Sequence, residues 1–287
     1  MSLNYLSKER RILIIINLFL ITFNSCGPKK KECTIKVQNQ SVQVRKGSES
    51  LGNNYGNVGY VTFSLSNDSA LTMMSQNLST RTFRNGDSIL LVKNIKEATS
   101  AQAKRKPWCA YYLYDEKNKS LGLYYNGYAI LDKRELAPKG WHIATPYDWS
   151  HIRKMANVDS ENPSIHLFYN PKTFTDAKML DKLSDECPDL SYNNQRPIKE
   201  FNLSGLNCTA YGSMSVSNDY WKGGDSKQGF KDFGKSSSYW TNNLRDVGIN
   251  STSAALSTIY INSNSAELFP SQICCYQHMV RCVKDVH

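Results

Sequence analysis

The first 25 residues constrain this chain most, because they indicate the compartment in which the remainder folds. Three basic residues lie between positions 8 and 11, and an apolar run follows from Ile12 to Phe23, interrupted only by Asn17 and Thr22. The run is shorter than the roughly 20 apolar residues that a transmembrane helix needs. A positive start, a short apolar run and a small-residue end are typical of a secretory signal peptide. We therefore predict a signal peptide over residues 1–25 and an exported chain beyond it.

Small residues lead into a cysteine at the end of this segment, in the order Phe23-Asn24-Ser25-Cys26-Gly27. This order resembles the lipobox of bacterial lipoproteins, with Phe23 where leucine is usual. The resemblance implies that Cys26 is lipidated and becomes the new N-terminus. It implies an outer-membrane lipoprotein of the cell envelope, on either the periplasmic or the surface face. Two alternatives stay open, an uncleaved membrane anchor and an ordinary secretory signal.

The charge pattern argues against nucleic acid as a partner. The formal net charge is +10, but the positive residues are spread thinly apart from two triplets, residues 29–31 and 104–106. The first triplet follows the predicted lipid site, where lysines attract anionic headgroups. Neither triplet is long enough for a nucleic-acid footprint. The partner predicted at this point is therefore the membrane, through the lipid anchor.

The cysteine count bears on disulfides, because seven of the eight cysteines remain once Cys26 carries lipid. Disulfides are permitted outside the cytosol, and an odd number leaves at least one thiol free or paired between chains. Cys33, in a polar segment, is our candidate for the unpaired one. The cysteine spacing is not that of a metal site, so we predict no bound metal.

The chain divides into a short N-terminal part and one main domain. Residues 26–54 have the composition of a tether, although short apolar–polar alternations at 34–37 and 42–44 are also typical of a hairpin. We expect the main domain over residues 55–287. Tyr60–Leu65 alternates as a half-buried strand does, and Asn85-Gly86 predicts a tight turn.

One helix is strongly predicted. Thr145 is an N-cap residue, Pro146 occupies the first helical position, and Asp148 follows three residues after the cap. Apolar residues then recur at helical spacing from Trp149 onward, which predicts an amphipathic helix over 146–157. A second helix is a candidate over 175–183. Strands are predicted at 111–114, 122–130, 238–241, 255–261 and 279–283, and long loops at 158–200 and 211–237.

Several segments, taken in order, resemble a known bacterial domain family. They comprise residues 72–78, the Phe83-Arg84-Asn85-Gly86-Asp87 turn, Gly122-Leu123-Tyr124-Tyr125-Asn126-Gly127-Tyr128-Ala129-Ile130, Pro138-Lys139-Gly140-Trp141-His142-Ile143, Leu203-Ser204-Gly205-Leu206-Asn207, Tyr239-Trp240-Thr241, and Val280-Arg281-Cys282-Val283-Lys284-Asp285. Together they resemble the Fibrobacter succinogenes major paralogous domain, which occurs in exported proteins of Bacteroidota-type bacteria. The resemblance covers about residues 55–286. Ala137 stands where the family usually has cysteine, which removes the support for a disulfide from that position.

The resemblance implies a fold class. It implies an α+β, C-type-lectin-like domain with small twisted antiparallel sheets, one or two main helices and long loops. Related folds include formylglycine-generating enzymes and retroelement-diversified receptors. The matched residues expected to be structural are Trp141, His142, Trp149, Trp240 and Cys282.

Candidate chemistry is sparse. His142 is a candidate base or metal ligand, but a packed histidine bonded to backbone is the interpretation we favour. Cys274, Cys275 and Cys282 cluster near the C-terminus, and we favour disulfides or buried thiols over redox catalysis. The motifs of calcium-dependent sugar binding are absent from the sequence. We predict no catalytic residue, no metal and no cofactor.

The resulting functional hypothesis is a lipid-anchored binding or adhesion module of the cell envelope, with a glycan or protein ligand. Trp108, Tyr220 and Trp221 are weak candidates for ligand contact, because exposed aromatic rings stack on sugars or press into protein partners. The alternatives are an extracytoplasmic enzyme acting on glycans or thiols and a purely structural surface component.

Overall fold

The computed structural model is rich in strands and has few helices. It describes residues 32–37, 40–65, 70–155, 206–208, 211–216, 229–233, 236–245, 255–262 and 266–286. These residues contain fifteen strands, three α-helices and two 3-10 helices. The strands form two sheets. This mixture agrees with the predicted α+β class at a coarse level, with strands predominating.

The first sheet has six strands and is antiparallel throughout. Its spatial order is β1 (Glu32–Val37), β2 (Gln40–Ser50), β3 (Asn57–Leu65), β4 (Leu71–Met74), β15 (Cys282–Lys284) and β8 (Trp141–Ile143). The strand predicted at 60–65 lies in β3, where Val61 and Phe63 are fully buried. The two alternations in the predicted tether or hairpin segment lie in β1 and β2. Because β2 pairs with β3 over nine residues, residues 42–50 belong to the sheet of the main domain.

The second sheet is larger than expected and is not purely antiparallel. It contains β5 (Leu90–Leu91), β6 (Trp108–Ala110), β7 (Tyr124–Asn126), β9 (Tyr211–Ser215), β10 (Phe230–Phe233), β11 (Ser236–Arg245), β12 (Ala255–Asn262), β13 (Ala266–Gln272) and β14 (Tyr276–His278). The order is β13-β12-β11-β9-β14-β7-β6-β5, with β10 beside β9. The pairs β9–β11 and β5–β6 are parallel, so the expectation of small antiparallel sheets was wrong for this sheet.

The helices begin at well-formed caps. Helix α1 (Ile95–Ala103) is capped by Asn94, whose side chain accepts from the Glu97 amide. Helix α2 (Gly127–Ile130) is one turn long. Helix α3 (Pro146–Met155) confirms the predicted helix and is described as far as Met155. At its start the Thr145 amide donates to Asp148 Oδ2 at 2.7 Å and the Asp148 amide donates to Thr145 Oγ1 at 3.2 Å, which is a reciprocal capping arrangement.

Several local predictions require correction. Residues 112–114, predicted as strand, form a 3-10 helix in which Leu113 has a φ of 52°. Within 122–130 only residues 124–126 are extended, because Asn126 caps α2 by accepting from the Ala129 amide. The predicted loop over 211–237 begins with β9, which pairs with β10. The long loop at 158–200 and the candidate helix at 175–183 lie outside the described residues.

Other local predictions are confirmed. In the tight turn the Phe83 amide donates to the Asp87 carbonyl at 2.8 Å, and Gly86 has a φ of 94°, which glycine adopts without strain. The strands predicted at 238–241 and 255–261 lie in β11 and β12. No helix in the described part of the chain is long and apolar enough to cross a membrane.

Candidate functional site

Two segments far apart in the sequence pair at one edge of the six-stranded sheet, where β8 is the edge strand. In the antiparallel pair β8–β15, Trp141 lies opposite Lys284, His142 opposite Val283 and Ile143 opposite Cys282. Side chains alternate between the two faces of a strand, and opposite residues share a face. Trp141 and Lys284 therefore lie on one face and His142 on the other. The candidate site is built on this pair of strands.

His142 is held between two carboxylates. Its Nδ1 lies 2.7 Å from Asp285 Oδ1, and its Nε2 lies 3.1 Å from Asp148 Oδ2. Thr145 Oγ1 also donates to Asp148 Oδ2 at 2.6 Å, so the capping contacts of α3 fix that carboxylate. The His142 side chain is 36% exposed. We predicted that His142 is bonded to backbone. That prediction was wrong, because its partners are the acidic side chains of Asp285 and Asp148.

The carboxylates favour the charged imidazolium. The hydrogen bond to Asp148 raises the pKa of His142, and it outweighs the opposing effect of burial, with a further contribution from Asp285. Burial alone would raise the pKa of Asp148, but the bonds from His142 and Thr145 lower it below its ordinary value. In the charged form that the carboxylates favour, both ring nitrogens of His142 donate, because ionised carboxylates only accept. That charged form offers no lone pair to a proton or a metal ion.

The opposite face carries an aromatic and charged cluster. Trp141 Nε1 donates to Glu49 Oε1 at 2.9 Å, and Lys284 Nζ donates to Glu49 Oε2 at 2.6 Å. The Lys284 ammonium also lies 5.6 Å from the ring centroid of Trp141 and 5.8 Å from that of Tyr60, within cation–π range. Sequence reasoning missed Glu49, because it lies in the segment interpreted as a tether or hairpin.

The two most exposed large apolar side chains in the described part of the chain belong to residues next in sequence to the carboxylates that hold His142. Tyr147, 74% exposed, precedes Asp148, and Val286, 77% exposed, follows Asp285. Each is therefore the sequence neighbour of one carboxylate that holds His142. We call Tyr147, His142, Asp285 and Val286 the edge surface. The set combines two exposed apolar side chains with a hydrogen-bonded charged pair.

A sequence profile of the Fibrobacter succinogenes major domain matches residues 70–284. This chain belongs to the Fibrobacter succinogenes major domain family. The matched region contains β8, α3 and β15, which carry most of the candidate site. Glu49 and Tyr60 lie before the matched region. No curated protein and no solved structure matches the chain.

In this member of the family, Arg281 is a buried structural cation. Its guanidinium donates to Asn77 Oδ1 at 2.8 Å and to the carbonyls of Met74, Leu206 and Asn207 at 2.7–2.8 Å. The guanidinium also lies 5.5 Å from the ring centroid of Tyr239. The sequence placed Arg281 in a family segment without predicting this role. The arginine fastens β4 and the segment at 206–207 to the strand pair of the site.

One of the three aromatic candidates for ligand contact, Trp108, is buried. Trp108 is fully buried, and its Nε1 donates to Gln102 Oε1 at 2.9 Å, so the prediction that it contacts a ligand was wrong. Its place in β6, all three residues of which are buried, explains the burial. Tyr220 and Trp221 lie outside the described residues. Trp141, Trp149, Trp240 and Cys282, predicted to be structural, are all at most 1% exposed.

The five cysteines whose side chains the structure describes are thiols, namely Cys109, Cys208, Cys274, Cys275 and Cys282. None of these five is disulfide-bonded, so disulfides among them are not supported. Burial raises the pKa of Cys109 to about 12 and raises those of Cys208 and Cys282, which makes these three poor nucleophiles. Within the described ranges, no group of three or more His, Cys, Asp or Glu side chains could hold a metal ion.

Proposed function

We propose that this chain is a lipid-anchored binding or adhesion module of the cell envelope that performs no catalysis. Export and anchoring rest on the signal segment and Cys26. We further propose that the two sheets and few helices form a C-type-lectin-like domain, as the family resemblance implies. Outer-membrane attachment and an origin in Bacteroidota-type bacteria belong to the same proposal.

The observation that carries the proposal is the edge surface. Exposed apolar side chains are unremarkable one at a time. Here Tyr147 and Val286 are tied, through their neighbouring carboxylates, to the same histidine ring. The two exposed side chains therefore belong to residues next in sequence to carboxylates that are held in place. Aromatic groups beside fixed charges are the usual anchors of protein interfaces and of sugar-stacking sites.

The contacts of His142 support binding over base catalysis. A general base needs a ring nitrogen that can take a proton from a substrate. In this cluster the two carboxylates contact both nitrogens and favour the charged ring, which donates hydrogen bonds and is not a base in that form. This favours a binding module over an enzyme that would use His142.

The experiment is a glycan array and a partner pull-down performed with the Cys26→Ser chain, which we expect to be soluble. Tyr147→Ala should abolish or strongly reduce the signals that the parent chain gives. Phe269→Ala is the matched control, since Phe269 is also aromatic and 45% exposed but lies on β13 of the other sheet. Equal loss in both variants, or in neither, would contradict the edge surface as the contact site.

The Cys26→Ser chain also distinguishes a binding module from an enzyme, a metal-dependent lectin and a structural component. An enzyme acting on glycans would release products from array spots on prolonged incubation, and a metal-dependent lectin would lose binding in EDTA and regain it with calcium. A structural surface component would give no ligand in either format. The proposal expects retained binding in EDTA and unaltered glycans.

A further inference from the structure

Two adjacent cysteines lie in the turn between β13 and β14. Cys274 Sγ and Cys275 Sγ are 3.0 Å apart, and both residues are partly exposed. Gln272 Oε1 accepts from both sulfhydryls, at 3.9 Å from Cys274 and 3.5 Å from Cys275. The two thiols therefore share one hydrogen-bond acceptor, the Gln272 amide oxygen.

The turn is held on both sides, so the two sulfurs stay together. On one side the Ile273 carbonyl accepts from Gln102 Nε2 at 2.7 Å. The Ile273 side chain also packs closely against Gly127, because a Cβ added at Gly127 would lie 2.4 Å from Ile273 Cβ. On the other side the Cys275 carbonyl accepts from the Val216 amide at 3.1 Å and from Gln277 Nε2 at 3.2 Å. These contacts hold the turn without using either sulfur.

We propose that Cys274 and Cys275 are a redox-active vicinal dithiol that closes to a disulfide when it meets a small-molecule or protein disulfide. This role rests on the proposed exported location, because such oxidants act outside the cytosol. One cysteine sulfur attacks one sulfur of the oxidant and forms a mixed disulfide with it, and the other sulfur of the oxidant leaves as a thiol. The second cysteine sulfur then attacks the first in the mixed disulfide and expels the remaining half of the oxidant as the second thiol. Two electrons reduce the oxidant, and the two cysteine protons end on the two released thiols.

Chain geometry determines what kind of disulfide this is. Consecutive Cα atoms across a trans peptide bond are about 3.8 Å apart, whereas disulfides usually join Cα atoms about 4.4–6.8 Å apart. A bond between neighbours is therefore strained and easily reduced. Such bonds belong to the labile, regulatory group and not to the structural one. Closing or opening the ring would change the turn beside α2 and β14.

Exposure limits the reaction to this turn. Cys274 and Cys275 are both partly exposed, and either sulfur can take the second step because the other lies only 3.0 Å away. Cys109, Cys208 and Cys282 are fully buried, and an oxidant would not reach them without opening the fold.

The test uses the full chain, purified in detergent and equilibrated in glutathione buffers from fully reduced to fully oxidised, then alkylated under denaturing conditions. Mass spectrometry of the peptide holding both cysteines should show two alkyl groups in reduced buffer. In oxidised buffer the peptide should carry no alkyl group and be two hydrogens lighter. Two alkyl groups in every buffer, or cross-links from this peptide to another cysteine, would overturn the proposal.

Two variants test the resolving step. Cys275→Ser and Cys274→Ser should each accumulate a glutathione adduct on the remaining cysteine, because the resolving thiol is gone. The absence of an adduct in both variants would overturn the two-step exchange. If either variant fails to fold, the peptide map of the parent chain still decides the main proposal. A negative titration leaves the binding proposal standing, since the titration requires neither a ligand nor export.

Discussion

Asp285 Oδ1 lies 2.7 Å from His142 Nδ1, and this contact joins the last part of the chain to β8. His142 lies in β8, and Asp285 directly follows β15, the strand that pairs with β8. The imidazole ring thus meets one carboxylate from the residue after β15 and one, that of Asp148, from the start of α3. The edge surface is defined around this convergence.

The first prediction concerns the pH dependence of stability. The folded-state pKa of His142 is raised above 6.5, so its contribution is fully present below pH 6.5 and is lost as pH rises through the folded value. His142→Gln should therefore melt below wild type in mild acid, and the gap should narrow as pH rises from about 6 to about 9. Partial exposure makes the effect modest and salt-sensitive.

The control for this measurement is His151→Gln, because the structure describes no hydrogen bond from His151 to either carboxylate. Melting temperatures of the three proteins across the pH series give the result. A gap between wild type and His142→Gln that stays constant with pH would mean that the carboxylates do not favour the charged ring.

The second prediction concerns α3. Thr145→Ala should lower the free energy of unfolding by about 1 kcal/mol, because it removes the cap that Thr145 Oγ1 provides. Trp149→Ala should cost about 3–5 kcal/mol, since the ring is fully buried and its removal leaves a cavity. Urea unfolding measures both changes. Similar small losses in the two variants would contradict the packing of α3 described above.

The third prediction concerns Arg281. Arg281→Met should destabilise the chain by about 3–5 kcal/mol, because the carbonyls and Asn77 Oδ1 that accept from it would be buried without a donor. Arg281→Lys should recover only part of this loss, since an ammonium cannot reproduce the planar fork of donors. Full recovery by lysine, measured by urea unfolding, would show that charge alone is sufficient at this position.

Sequence patterns predicted the elements that have strong local signals. The Thr145 cap with Pro146 and Asp148 gave α3, and Asn85-Gly86 gave the turn. Helix α1 was missed because its buried face consists of Ala98, Ala101 and Gln102, which carry little hydrophobic periodicity. The aromatic run at 111–114 indicated a strand, but the local 3-10 geometry and positive φ at Leu113 depend on tertiary packing.

The candidate site was predicted less well than the fold, for a physical reason. The segments that contain His142 and Asp285 were found, but their contact depends on strand register, which the sequence does not reveal. Glu49 joins Trp141 across 92 residues of sequence. Trp108 was predicted to contact a ligand but is buried, because the sequence does not indicate whether an aromatic residue is exposed.

The fourth prediction concerns anchoring. Cys26→Ser should move the protein from the membrane fraction to the soluble fraction, because it removes the sulfur that carries lipid in the proposal. Cys33→Ser is the matched control and should stay in the membrane fraction. Detergent partitioning followed by immunoblotting gives the result. Membrane retention of Cys26→Ser equal to that of wild type would contradict the proposed lipid anchor.

The most direct test of the central claim is the equilibrium dissociation constant for the ligand identified by array or pull-down, measured for three proteins. Tyr147→Ala should weaken binding by on the order of 10-fold or more, because a fixed aromatic anchor typically contributes at least 1 kcal/mol. Phe269→Ala should bind as the parent chain does, and all three should keep the same melting temperature within error. Unchanged affinity in Tyr147→Ala, with the fold intact, would contradict binding through the edge surface.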